Sequence, residues 1–79
     1  MRATILVRPK AGILDPQGDA VERALGHLGF EVSGARVGKV VDLEVSAPDE
    51  AAARSQVEQM CVQLLANPLI ESYEIEVHG

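Results

Sequence analysis

The sequence predicts a small α+β protein in which two helices cover one face of an antiparallel sheet. Apolar residues alternate at every second position near both ends of the chain, and they recur at helical spacing in two longer segments. Glycine and proline divide these segments into six elements in the order β-α-β-β-α-β. This order is typical of the split βαβ, or ferredoxin-like, two-layer sandwich. A chain of 79 residues is expected to form one domain, residues 1–79.

Four strands are predicted from the alternation. Residues 2–8 and 72–77 place apolar side chains on one face of the sheet, namely Ala3, Ile5, Val7, Tyr73, Ile75 and Val77. Residues 31–37 and 39–46 are the two middle strands, and a hairpin at Gly38 is favoured over one long bent strand. The apolar residues expected on the opposite face are Leu6, Val32 and Val40. A bare apolar face of this kind would be a docking surface.

The first helix is predicted over residues 16–28. Asp15 is a suitable N-cap, and Pro16 suits the first helical position, where a backbone N–H would have no partner in any case. Gly29 is expected to end the helix, with Phe30 completing a Schellman motif.

The second helix is predicted from Ser46 to Ala66. Ser46 and Asp49 have the spacing of a weak capping box, and Pro48 lies in the first turn. The pair Asn67–Pro68 ends the helix, because the residue before a proline avoids the helical conformation.

The core of this chain is too small to be stable without help. It contains one Phe, one Tyr and no Trp, and cores of this size rarely supply more than about 3–5 kcal/mol. A disulfide is excluded because Cys61 is the only cysteine, and one cysteine with two scattered histidines does not make a zinc site. An unpaired cysteine also fits a cytoplasmic protein. Association with another protein chain is therefore the predicted means of stabilisation.

The charge of the chain argues against nucleic acid as a partner. The net charge is −5 and aromatic residues make up 3%, whereas nucleic-acid binding needs cations and often stacking rings. No segment has the roughly 20 apolar residues of a membrane span. The charge is uneven, since residues 1–40 carry six basic and four acidic groups and residues 41–79 carry one basic and eight acidic groups.

No set of residues predicts catalysis or metal binding. His27 is interpreted as an exposed helix residue, His78 lies at the chain end, and Cys61 belongs to the apolar stripe of the second helix. Glu74 and Glu76 share one face of a strand without a general-base partner. Glycine-rich phosphate loops and nucleophile elbows are absent from the sequence. An independent enzyme is therefore not expected.

Two segments are candidate contact surfaces for a partner. The loop 10–18 leads into the first helix, whose N–H groups would suit an anion, although capping by Asp15 is the simpler interpretation. Gly18 in the first helical turn costs up to about 1 kcal/mol, which indicates that another backbone packs close to it. The turn 36–39 sets two cations around a glycine. The candidate interface residues are Lys10, Asp15, Gln17, Gly18, Arg36, Gly38 and Lys39.

Several strings in the sequence resemble those of one protein family. They are G-I-L-D-P-Q-G at residues 12–18, R-V-G-K at 36–39, and L-L-A-N-P followed by I-E-S-Y-E-I in the last third of the chain. Together they strongly resemble the small accessory subunit (the PurS family) of phosphoribosylformylglycinamidine synthase. The resemblance covers essentially the whole chain.

This resemblance implies a non-catalytic subunit in de novo purine biosynthesis. The complex converts formylglycinamide ribonucleotide to the amidine with ATP and glutamine. A glutaminase subunit releases ammonia, and a large synthetase subunit holds ATP and magnesium. The small subunit is implied to be a homo-oligomer, a dimer or a tetramer, that contacts both and assists ammonia transfer. The alternative is a small-molecule-sensing regulatory module on the same fold.

Overall fold

The computed structural model describes all 79 residues and contains three strands and two α-helices. The elements in chain order are β1 (Arg2–Pro9), α1 (Pro16–His27), β2 (Lys39–Glu44), α2 (Glu50–Met60), a π-helical turn (Cys61–Leu65) and β3 (Glu71–His78). The α+β class is confirmed. The order is β-α-β-α-β, so the prediction of four strands is wrong.

The three strands form one antiparallel sheet in the order β2-β1-β3. The register places Ile5 of β1 opposite Val41 of β2 and Ile75 of β3. The ladder continues past the end of β2, because the Val45 N–H donates to the Met1 carbonyl at 2.7 Å. Since β1 is central, both β2 and β3 have a free outer edge.

The core lies between one face of this sheet and α2. Every second residue of β1 is fully buried, and these residues face the buried side of α2 and the π-helical turn. The fully buried residues are Ala3, Ile5, Val7, Ala53, Val57 and Cys61. The partly buried residues Leu43, Tyr73 and Ile75 complete the same layer. The period-2 pattern of the strands therefore predicted the core face correctly.

Residues 31–37 do not form the predicted strand. Two N–H groups of this segment bond to side chains instead: Gly34 donates to Glu22 Oε1 at 2.7 Å, and Val37 donates to Asp15 Oδ2 at 2.9 Å. The predicted hairpin at Gly38 is wrong for the same reason, and so is the alternative of one bent strand. In a split βαβ sheet the missing strand would lie beside β2, so its absence leaves β2 as an edge.

Helix α1 does not share the face of the sheet that α2 covers. Of its residues only Gly18 is buried. The radius of gyration is 15.7 Å and the longest dimension is 50 Å, whereas a compact chain of this length has a radius near about 12 Å. Residues 16–37, which we call the arm, therefore project from the sheet. The strand that follows α1, β2, runs antiparallel to β1, so this connection is not the crossover of a parallel βαβ unit.

The ends of α1 follow the sequence prediction closely. Asp15 is the N-cap and accepts a hydrogen bond from the Gly18 N–H, and Pro16 is the first helical residue. At the other end, Phe30 N–H donates to the Leu25 carbonyl and Gly29 has a φ of +95°. This pair of features is the predicted Schellman ending.

The start of α2 differs from its prediction. The helix begins at Glu50, and Asp49 is its N-cap rather than a residue of the first turn, because its carboxylate accepts from the Ala52 N–H at 2.8 Å. The last turn is π-helical, with the Ala66 N–H donating to the Cys61 carbonyl at 3.0 Å. The predicted end of this segment at Ala66 is correct.

The outer face of the sheet is mostly polar rather than a bare apolar surface. Two ion pairs lie on it, Arg2 with Glu44 at 3.8 Å and Arg8 with Glu74 at 3.2 Å. Leu6 and Val40 lie opposite each other as a small apolar spot. Val32, the third residue predicted for this face, lies on the arm instead.

Candidate association site

The arm carries an apolar surface that the fold leaves uncovered. Leu28 is 73% exposed, Phe30 59% and Val21 42%, and Val32 is also exposed. Val21, Leu25 and Leu28 recur at the spacing of one helix face, which normally packs against a core. A stripe of this kind with no core beneath it indicates an association surface.

Asp15 fastens the arm at its base. One carboxylate oxygen accepts from the Gly18 N–H at 2.9 Å, and the other accepts from the Val37 N–H at 2.9 Å. The pKa of Asp15 is lowered from its ordinary value of 3.8 by the bond from Gly18, then by that from Val37, with a smaller contribution from the Arg36 charge against an opposing effect of burial. The carboxylate thus joins the first turn of α1 to the chain that returns from it.

Gly18 allows the two halves of the arm to lie close together. A Cβ atom at this position would collide with the Ala35 carbonyl oxygen, an atom of the backbone that cannot move independently. The close backbone approach that the sequence indicated at Gly18 is confirmed. Gly38 has the same role beside the sheet, where a Cβ atom would collide with the Val7 carbonyl oxygen.

Arg36 and Lys10 fix the loop that connects β1 to the arm. The Arg36 guanidinium donates to the carbonyls of Pro9 and Lys10, each at 3.1 Å. The Lys10 ammonium donates to the Pro68 carbonyl at 2.6 Å, and the Lys10 N–H donates to the Ile70 carbonyl at 2.9 Å. The loop is therefore held from two sides, by the arm and by the segment before β3.

The structure brings most of the candidate interface residues to one place. Asp15, Gly18, Arg36, Gly38 and Lys39 surround the base of the arm, whereas Gln17 is exposed on the first turn of α1. Their part in contacting another subunit stays a prediction, because the bonds described above lie within the chain.

Sequence reasoning missed two residues of this site. Glu22, whose carboxylate accepts from Gly34, carried no signal because its partner is far along the chain. Phe30 was expected only as the end of a helix, and its exposure could not be read from the pattern. An exposed apolar stripe and a buried one have the same periodicity.

The chemistry-bearing side chains form no catalytic set. Cys61 is buried, and its pKa is raised by burial and further by the charge of Glu58, as for an unreactive structural thiol. His78 lies 3.8 Å from Glu76 on an exposed strand end. No cluster of three or more metal-ligating side chains occurs. Neither α-helix has the length and apolar character that crossing a membrane requires.

The fold and this site define a small α+β subunit with an exposed arm for association. The chain matches the family model described as PurS, phosphoribosylformylglycinamidine (FGAM) synthase, over residues 2–79. It belongs to this family. The chain is thus a PurS subunit of FGAM synthase, an enzyme of purine biosynthesis. The resemblance seen in the sequence is thereby confirmed, and the alternative of a regulatory module is set aside.

Individual relatives agree along the whole chain. The PurS subunit of FGAM synthase from a Synechocystis strain is 47% identical over 77 residues, which are 96% of this chain and 75% of that one. The structure of Bacillus subtilis PurS is 38% identical with a TM-score of 0.87, and the match covers 99% of this chain and 98% of that one. A chain in the structure of PurLQS from Thermotoga maritima is 36% identical with a TM-score of 0.86, covering 95% and 93%.

Proposed function

We propose that this chain is a non-catalytic connector that joins a glutaminase subunit to an ATP-dependent synthetase subunit and assists ammonia transfer between them. The proposal is supported by the likeness to a chain of the Thermotoga maritima PurLQS structure. It is further supported by the side chains, which offer hydrogen bonds and apolar contacts but no nucleophile paired with a base. This work is proposed to take place in the cytoplasm, in keeping with the single unpaired cysteine.

The division of labour with the larger subunits follows from the residues present. ATP and magnesium are assigned to the large synthetase subunit, because the sequence has no phosphate-binding glycine loop. The contribution of this chain is geometric: it holds the two larger subunits in the arrangement that passes ammonia without loss to water.

The likeness to a chain of the PurLQS structure is the single observation that carries the connector role. The exposed arm supports a further part of the proposal, in which a second copy of the chain is the first partner. The arm buries only Gly18, so its apolar stripe needs a cover. Two identical arms can cover each other or each other's sheets in a closed two-fold pair, which is the commonest form of oligomer. A dimer would also present two symmetric sets of the candidate residues Lys10, Asp15, Gln17, Gly18, Arg36, Gly38 and Lys39 to the larger subunits.

Reconstitution of the three subunits tests this function. Glutamine-dependent and ammonium-dependent synthesis are measured with and without the small subunit at fixed amounts of the other two. We expect its omission to abolish most of the glutamine-dependent rate and to leave the rate with free ammonium largely unchanged. Unchanged glutamine-dependent synthesis in the absence of this chain would contradict the proposal.

A further inference from the structure

A basic cleft lies beside the base of the arm, on the side of the sheet where β1 ends and β2 begins. Its volume is about 320 Å³, and its lining residues are Leu6, Val7, Arg8, Pro9, Arg36, Gly38, Lys39 and Val40. The lining contains three cations and no acidic residue. The cleft is therefore positively charged, although the chain as a whole has a net charge of −5.

The three cations differ in the ion pairs and hydrogen bonds that they already make within the chain. Arg8 is paired with Glu74 at 3.2 Å, and Arg36 donates to two backbone carbonyls. Lys39 has no carboxylate within 4.0 Å. A focused positive potential next to an unpaired ammonium attracts an anionic partner.

The cleft also offers features that suit a polypeptide better than a small anion. Leu6 and Val40 lie opposite each other and give it an apolar floor. Val40 and Lys39 belong to β2, whose outer edge has no neighbouring strand. A free edge can pair with an extended segment through main-chain hydrogen bonds, while pockets along it select the side chains. A lone phosphate would gain little, because exposed cations are screened by water and salt.

We propose that this basic cleft binds an extended acidic segment of one of the larger subunits, with a carboxylate beside Lys39 and an apolar side chain over Leu6 and Val40. The inference rests on the proposed function, since it names the surface by which the connector binds a larger subunit. The second copy is assigned to the apolar arm, and the cleft, which is lined by three cations, is assigned to a larger subunit.

Charge reversal at the cleft tests the inference. Lys39→Glu and Val40→Asp each place negative charge there. Arg2→Glu makes the same charge change as Lys39→Glu, but at the other end of β1, where the Glu44 pair is exposed and weak. Binding of each variant to the purified synthetase and glutaminase subunits is measured at low and moderate salt, and the mass of the small subunit alone is measured by sedimentation. Circular dichroism melts check that each variant is folded.

The inference expects Lys39→Glu and Val40→Asp to weaken binding to one larger subunit by at least about tenfold, because like charges placed together at an interface are costly. Arg2→Glu is expected to bind the larger subunits like the original chain. All variants are expected to form an oligomer with the same number of chains as the original. The original chain should also bind more weakly as salt rises.

Three results would overturn the inference. The first is unchanged binding of the cleft variants to both larger subunits while the original chain binds well, which would leave the proposed function intact. The second is loss of the oligomer in the cleft variants, which would identify a second copy as the occupant. The third is saturable binding of inorganic phosphate or ADP to the original chain that Lys39→Glu removes. If the original chain bound neither larger subunit, the proposed function itself would fail.

Discussion

The sheet with α2 and the arm are stabilised in different ways within one short chain. The sheet layer contains all eight buried apolar residues, and three of them follow one another on alternate positions of β1. The arm contains one buried residue, Gly18, and is fastened by the carboxylates of Asp15 and Glu22. Burial of apolar surface is the main favourable contribution to folding, so the sheet layer has contacts that favour its folding, whereas the arm has almost none.

The hydrogen bonds of the arm are too weak to offset the entropy that is lost when its backbone becomes ordered. Ordering the backbone of one residue costs roughly 1–2 kcal/mol, and a hydrogen bond gives a net gain of about 0.5–1.5 kcal/mol. A few side-chain bonds therefore do not offset the ordering of residues 16–37. Covering Val21, Leu28 and Phe30 with another chain would supply the missing apolar burial. The chain is thus expected to be complete only as part of an assembly.

The largest expected effect comes from the core of the sheet layer. Ile5→Ala should lower the free energy of unfolding by about 2–5 kcal/mol, because it leaves a cavity at a fully buried position. Urea unfolding followed by circular dichroism measures the change. Leu14→Ala, at a position that is 79% exposed, is the control and should change the same free energy only slightly. Similar losses for the two variants would contradict the assignment of the core.

The next effect concerns the arm and should appear in association rather than in folding. Leu28→Glu places a charge on the exposed stripe and should weaken self-association by at least about tenfold, because buried interface positions tolerate unpaired charge poorly. Leu64→Glu is the control, at a leucine outside the arm that is 82% exposed, against 73% for Leu28. Sedimentation equilibrium of both variants measures the dissociation constant. An unchanged dissociation constant for Leu28→Glu would remove the arm from the interface.

A pair of glycine substitutions in α1 should have opposite signs. Gly18→Ala should destabilise the arm by about 1–3 kcal/mol, since the new methyl group meets the Ala35 carbonyl oxygen. Gly26→Ala has open space around its Cβ and should stabilise the helix by up to about 1 kcal/mol. Amide hydrogen exchange in α1 measures both changes. Equal effects of the two substitutions would contradict the close packing of the arm's two halves.

The smallest effect is the response of the arm to acid. Because the pKa of folded Asp15 is lowered below its ordinary value of 3.8, its stabilising contribution is complete above that value and is lost as the pH falls through the folded pKa. The amide proton shifts of Gly18 and Val37 should therefore change with a midpoint below 3.8. Asp15→Asn should remove this transition. A midpoint at or above 3.8 in the original chain would contradict the hydrogen bonds from Gly18 and Val37 to the Asp15 carboxylate.

The parts of the fold that local chemistry decides could be predicted from the sequence. The alternation of Ile5 and Val7 identified the core strand, and Asp15 and Gly29 marked both ends of α1. These signals depend on neighbours within a few residues, such as the bond from the Gly18 N–H to Asp15. The close approach at Gly18 was also predictable, because a glycine within a helix needs a reason.

The parts that distant contacts decide could not be predicted. Residues 31–37 have the composition of a strand, but two of their N–H groups donate to carboxylates far along the chain. Asp15 lies 22 positions from its partner Val37, and Glu22 lies 12 positions from its partner Gly34. The apolar face of α1 predicted a helix correctly, yet periodicity does not tell whether its cover is the same chain or another one. The same ambiguity put Val32 on the wrong surface.

Sedimentation equilibrium of the isolated chain, combined with hydrogen exchange of the α1 amides over a range of concentration, tests the central claim most directly. We expect a mass of twice 8.4 kDa or a higher multiple, with protection of the α1 amides that falls on dilution or in Leu28→Glu. A stable monomer of 8.4 kDa whose α1 amides are as well protected as those of β1 would contradict it.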